Sequence, residues 1–180
     1  MRVMYSVFLN PGHDRDLDSG AVNPVSGLRE ADYVWDISQL IKKYLVDAGI
    51  KVDMIQSDDL AYVCETADAD NVDLVVSIHC NASESQTARG TEVEVYSQYS
   101  EGEKAAQHVL DQIVNSVGTI DRGVREHPEF YMLNHVSAPA ILIEIAFIDE
   151  PNDEYILVHH KDDIARAIAR GVTDYFKYDM

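Results

Sequence analysis

Two periodicities alternate along the chain. Near the N-terminus Val3, Tyr5, Val7 and Leu9 recur at every second position, so residues 2–9 read as a strand, followed by a Gly/Asn/Pro-rich loop up to about Leu28. From Glu30 the spacing becomes three and four: Val34, Ile37, Ile41, Leu45 and Ala48 form one helical stripe, and Gly49 is placed to stop it. Residues 50–55 suggest a second strand. The run VDLVVSIH, 72–79, is apolar on both faces, as a central strand covered by helices on both sides would be. GTEVEVY, 90–96, alternates more cleanly and reads as less central. Helical spacing returns at Ala105, Val109, Ile113 and Val117, and again at Ile164, Ile168, Val172 and Phe176. Strands alternating with helices predict an α/β domain around a largely parallel or mixed sheet.

One position disturbs this pattern. PAILIEIAF, 139–147, reads as a buried strand with a carboxylate in its middle. In an extended chain Glu144 shares a face with Leu142 and Ala146, while Ile141, Ile143, Ile145 and Phe147 share the other. An ionised carboxylate in apolar surroundings requires a counter-charge, hydrogen bonds or a metal, or else its pKa rises. A wet or ion-paired face and a catalytic role both remain open on this segment alone.

The 180 residues show no internal repeat, low-complexity tract or linker, and are expected to form a single domain over residues 1–180. Fourteen Lys and Arg against 32 Asp and Glu give a net charge of −18, which argues against a nucleic-acid or anionic-membrane partner held by charge. The segment MRVMYSVFLNPGH lacks the apolar stretch and cleavage site of a signal peptide, and no apolar run reaches the length of a transmembrane segment. Cys64 and Cys80 are too few for a disulfide framework and are expected to be buried free thiols.

In α/β sheets functional groups gather beyond the carboxyl ends of strands, where His13 follows the first strand and His79 ends the central one. Zinc prefers imidazole, thiolate and carboxylate ligands, and a catalytic site typically uses three, leaving one position open. His13, Glu30 and His79 supply such a set. Each also has a plain structural reading: a loop histidine, an acidic first helical turn favoured by the helix dipole, and a core histidine at a strand end. Asp14, Asp16 and Asp18 resemble the opening of a calcium loop, but Ser19 and Val25 stand where that pattern needs Gly and Glu. Cys80 is an alternative to His79, but neighbours on a strand point to opposite faces, which favours His79.

The segments NPGHDRDLDSGA, GLREADY, SIHCNAS, RGTEVEVY, DRGV followed by FYMLN, and PAILIEIAFIDEPND resemble, in that order and across nearly the whole chain, zinc-dependent N-acetylmuramoyl-L-alanine amidases of the amidase-3 type. The resemblance implies one zinc ion held by His13, Glu30 and His79, with Glu144 as catalytic acid/base. It implies a sheet of six strands flanked by helices. It also implies peptidoglycan as substrate, cut at the amide between N-acetylmuramic acid and L-alanine, and action at the bacterial cell wall. Two departures stand out: Asp14 and Arg15 follow His13 where the family commonly has glycines, and IQSDDLAYVCETADADNVD lacks an Arg and an Ala-Asn pair often found there.

Asn81 and Arg122 are further candidates for substrate contact. Turn chemistry alone explains an Asn two residues past His79, and Arg122 has Asp121 and Glu126 as local ion-pair partners. The phage-endolysin, mother-cell and larger-protein settings are all compatible with the sequence, and either a wall-binding module elsewhere or weak affinity for the wall is expected. Two rival readings are a wall-binding relative without turnover and a zinc peptidase that cuts within the stem peptide.

Overall fold

The computed structural model describes residues 4–180, so Val3 of the first predicted strand lies outside the described residues. Strand β1 is Ser6–Pro11, β2 Lys51–Met54, β3 Leu74–Asn81, β4 Thr91–Val95, β5 Asp121–Glu126 and β6 Ala140–Phe147. They form one sheet in the order β2-β1-β3-β6-β4-β5. Every pairing is parallel except that of β4 with β6. Among the described residues six helices flank the sheet: α1 Glu30–Asp47, α2 Leu60–Ala69, α3 Glu101–Val117, α4 Tyr131–Asn134, α5 Pro151–His159 and α6 Lys161–Tyr178. The α/β architecture and the six mostly parallel strands agree with expectation.

The alternation of side chains splits the core in two. Val7, Leu9, Val76, Ile78, Ile141 and Ile143 join the larger cluster with the apolar stripes of α1, α3 and α6. Phe8, Val75 and Leu142 join a smaller one with α2 and α4. Each fully buried Ile or Val contributes about 1.5–3 kcal/mol, so the larger face dominates stability and the smaller is freer to carry chemistry. Helix α1 ends as expected: Ala48 is its cap, and Gly49 takes a left-handed φ of 85° from which the chain turns back to β2.

Two corrections to the pattern reading follow. Ile145 and Ala146 both pack in the larger cluster, because the β3–β6 register slips by one residue between the His79–Glu144 and Asn81–Phe147 pairs. Such a bulge breaks strict alternation, so Ala146 leaves the face of Glu144. Strand β4 is buried at every position, Glu92 and Glu94 included. Their face meets the polar end of the smaller core rather than bulk water.

Candidate active site

Connections leave β1 and β3 in opposite directions, since α1 carries the chain to β2 on one side and β3 lies on the other. That switch point opens a crevice at the carboxyl ends of the two strands. His13 lies just past β1, and His79 near the end of β3 points to the face of Ser77 and away from buried Cys80, whose side chain joins the larger core. Gly12 lets the two approach: a Cβ there would sit 2.2 Å from the His79 ring. His13 itself takes a left-handed φ of 62°, a strained backbone for a residue with a side chain.

Glu30, the first residue of α1, reaches between the two imidazoles. Its Oε2 is 3.1 Å from His13 Nε2 and its Oε1 is 3.0 Å from His79 Nδ1. The same carboxylate accepts the backbone N–H groups of Ala21 and Cys80, which fixes its two oxygens. Burial opposes ionisation of Glu30, yet its hydrogen bonds to His13 and His79 hold the carboxyl well below the usual range. His13 is raised to about 9 by its bond to Glu30, against a smaller effect of burial, with Asp18 adding to the rise. The donor atoms of His13, Glu30 and His79 all lie within 4.8 Å of one another. Two nitrogens and one ionised oxygen converging in this way suit a metal ion of zinc's preferences.

Sequence reasoning missed Asp18 as a partner. Its Oδ2 lies 2.6 Å from His13 Nδ1, so a proton held on that nitrogen would leave Nε2, which faces Glu30, to coordinate an ion. The Asp-rich loop is otherwise self-contained, with Asp14 accepting the N–H groups of Asp16 and Leu17. In the second departing segment Gln56 clamps the crevice, donating to the carbonyls of Gly12 and Ala31.

Glu144 is the strand partner of His79 on β3 and of Glu92 on β4. Its Oε2 is enclosed and has no hydrogen-bond partner among the described residues. Burial first, then the charges of Glu30, Glu94 and Glu92, raise its pKa well above the carboxylate range. His13, Glu30, His79 and Glu144 all line one cleft of about 770 Å³. Asn81 lines it too, and donates to Glu92. Arg122 is placed differently: its Nε binds Glu92 at 2.8 Å, rather than Asp121 or Glu126, and its guanidinium lies over Phe147. Arg125 binds the same carboxylate at 2.9 Å. Glu92 is thus tied on both sides, and a sequence signal for it existed in the paired glutamates of GTEVEVY.

A family described as N-acetylmuramoyl-L-alanine amidase, amidase-3, matches residues 7–174. The chain belongs to that family. It is 31% identical to the N-acetylmuramoyl-L-alanine amidase LytC of Bacillus subtilis (strain 168) over 180 residues, covering 96% of this chain and 36% of LytC, so it spans about a third of that relative. Among solved structures, an N-acetylmuramoyl-L-alanine amidase from Clostridium difficile 630 superposes with a TM-score of 0.89 at 30% identity, covering 98% of this chain and 99% of that one. The amidase AmiC2 of Nostoc punctiforme gives 0.89 at 29% identity, with 96% and 97% covered.

Proposed function

We propose that this chain is a zinc-dependent hydrolase of the amide joining N-acetylmuramic acid to L-alanine in peptidoglycan, acting at the bacterial cell wall. The observation that carries the reading is the convergence of His13, Glu30 and His79 beside a strand-fixed, hydrogen-bond-deficient Glu144 in one cleft. His13 through Nε2, Glu30 and His79 through Nδ1 would hold one zinc ion per chain. Zinc bound there supplies a Lewis acid for the scissile carbonyl and lowers the pKa of water toward neutrality.

Glu144 then takes a proton from the attacking water and delivers it to the departing amine as the C–N bond breaks, leaving a carboxylate and a free L-alanine amino group. Such acid/base work is typically worth ~10²–10⁴-fold. Burial raises its proton affinity, which favours taking the water's proton, and the rigid strand keeps it in place. Asn81 is assigned to the substrate side of the cleft, and Arg122 to holding Glu92 beside Glu144. Residues 1–180 act as one catalytic domain. The endolysin setting has no observation behind it beyond the shared family, and neither rival activity is favoured by the cleft.

The test is digestion of purified peptidoglycan by the zinc-loaded protein. New L-alanine amino termini without new reducing sugar ends are expected. Cleavage inside the stem peptide, or no release at all, overturns the reading.

A further inference from the structure

Glu92 and Glu144 stand directly opposite each other where β4 pairs antiparallel with β6. Like charges in that arrangement repel, because such pairs bring their Cβ atoms to roughly 5 Å, so a buried Glu92 beside Glu144 needs a reason. Its partners come from the strands on either side. The Nε groups of Arg122 and Arg125 on β5 both donate to Oε2, and Asn81 on β3 donates to Oε1.

The chain of β5 is bent to make the double contact. Arg122 and Arg125 are three residues apart, which on a regular strand puts them on opposite faces. The β4–β5 register gains one residue between the Thr91–Asp121 and Val93–Val124 pairs, and Gly123 takes a left-handed φ of 90°. That bulge brings Arg122 to the face of Arg125 and Glu92.

Arg122 also reaches past Glu92. Its guanidinium carbon lies 4.9 Å from the centre of the Phe147 ring, on the strand that carries Glu144. The slip in the β3–β6 register returns Phe147 to the face of Glu144. Apart from Glu92, the hydrogen-bond partner of Arg122 among the described residues is the carbonyl of Arg89, at 3.4 Å. Asp121 is engaged with the backbone N–H of Gly123. Arg125 has another acid at hand in Glu94, its partner across β4 and β5. A guanidinium thus lies over β6, and Glu92 is the carboxylate that binds it there. The Glu144 Oε2, enclosed and without a donor among the described residues, is open to such a cation.

We propose that Glu92 is a positioning residue for the reaction, holding the Arg122 guanidinium off the Glu144 carboxylate so that its oxygens stay free for the attacking water. This rests on the amidase reading with Glu144 as acid/base. A guanidinium paired with Glu144 would occupy the oxygens that take the water's proton and turn them toward β5. The defect of losing Glu92 is therefore a wrong ion pair, and removing the freed cation cures it.

The experiment compares the zinc-loaded parent, Glu92→Leu, and a Glu92→Leu, Arg122→Gln double variant on purified peptidoglycan, with zinc content and melting temperature measured on each. For Glu92→Leu, kcat should fall roughly tenfold to hundredfold, within what acid/base catalysis is worth, with KM and zinc content within about twofold of the parent. Its crystal structure should show an Arg122 nitrogen within hydrogen-bond distance of Glu144. The double variant should regain kcat to within about threefold of the parent, a coupling between the two sites that a purely structural Glu92 does not produce. In that structural case kcat per folded molecule stays near the parent's, and the second substitution only lowers the melting temperature further. If Glu92→Leu does not fold, Glu92→Gln, which removes the charge and keeps the size, goes through the same comparison. Near-parent kcat in the single variant, a double variant no faster than the single, or an Arg122 that stays away from Glu144 overturns the inference and leaves the amidase reading standing. No release of L-alanine amino termini by the parent overturns the amidase reading, and this inference falls with it.

Discussion

Glu144→Gln preserves the size of the side chain and removes its capacity to accept a proton. If Glu144 is the acid/base, the variant keeps its fold and its zinc and loses roughly 10²-fold or more in turnover. If it were only a structural charge, the opposite ordering follows. Its Oε2 has no partner to lose among the described residues, and neutralising a buried carboxylate amid Glu30, Glu92 and Glu94 relieves repulsion. The thermal midpoint should therefore hold or rise. Zinc content, melting temperature and turnover on one preparation decide the matter, and a mutant with near-normal turnover defeats the catalytic assignment. The neighbouring pair His79 and Cys80 gives a second residue-level prediction. His79 faces the cluster, and Cys80 lies buried in the larger core with its thiol pKa raised by burial and by the charges of Glu30 and Glu144. His79→Ala should reduce co-purifying zinc from about one per chain to near none, whereas Cys80→Ser should retain it, as read by metal analysis. The strand alternation that separated these two neighbours was legible in the sequence. The pairing of Asp18 with His13 was not, because it depends on how an irregular loop closes.

At the scale of elements, β6 delivers Glu144 only if its end is pinned, and the pin is Asp153 on α5. The buried Oδ2 of Asp153 accepts the backbone N–H of Phe147 at 3.0 Å and that of Gly90, just before β4, at 2.7 Å. Asp153→Ala strands both buried donors at a cost of roughly 2–4 kcal/mol. In a protein of this length that lowers the melting temperature by roughly 5–15 °C. The shift is measurable by calorimetry, and an unchanged midpoint would mean the two strand ends are held by something else. Burial explains which elements the pattern missed. Helices α1, α3 and α6 and strand β3 were readable because each buries a continuous stripe or both faces. Helix α5 buries only Asp153 and Leu157, and α4 has four residues, so neither leaves a period to find. Strand β5 has no fully buried position, as fits an edge. Alternation in β4 told which residues share a face, but not that the face is a buried polar floor with its own ion pairs.

For the whole molecule, a net charge of −18 makes the compact state repel itself, and the buried acids of β4 sharpen that dependence on pH. Glu94 is raised to about 7, mainly by burial and further by Glu92 and Glu129, with His127 and Arg125 opposing. Its raised value means that the folded chain keeps a proton the unfolded chain has released. This contribution to stability is full below pH 4.5 and is lost between about 4.5 and 7. His127, 3.5 Å from Glu94, is itself raised, first by its bond to Glu129 and then by Glu94 and Glu92 against some burial. A raised histidine stabilises below its unfolded pKa of 6.5 and loses that effect as pH climbs through the folded value, so both groups act in one direction. Carboxylates held low, such as Glu150 and Asp162, act oppositely but only nearer pH 4. The melting temperature is therefore expected to peak near pH 5 and to decline toward pH 8. Glu94→Gln removes one contributor without touching the metal ligands or Glu144. Its melting temperature should match the parent near pH 5 and exceed it at pH 8, with most of the difference appearing between pH 5 and 7. High salt should flatten the part due to surface charge and leave the Glu94 difference largely in place, since a buried group is screened less. Parallel pH curves for the two proteins would show that the buried Glu94 carboxyl titrates as an ordinary one.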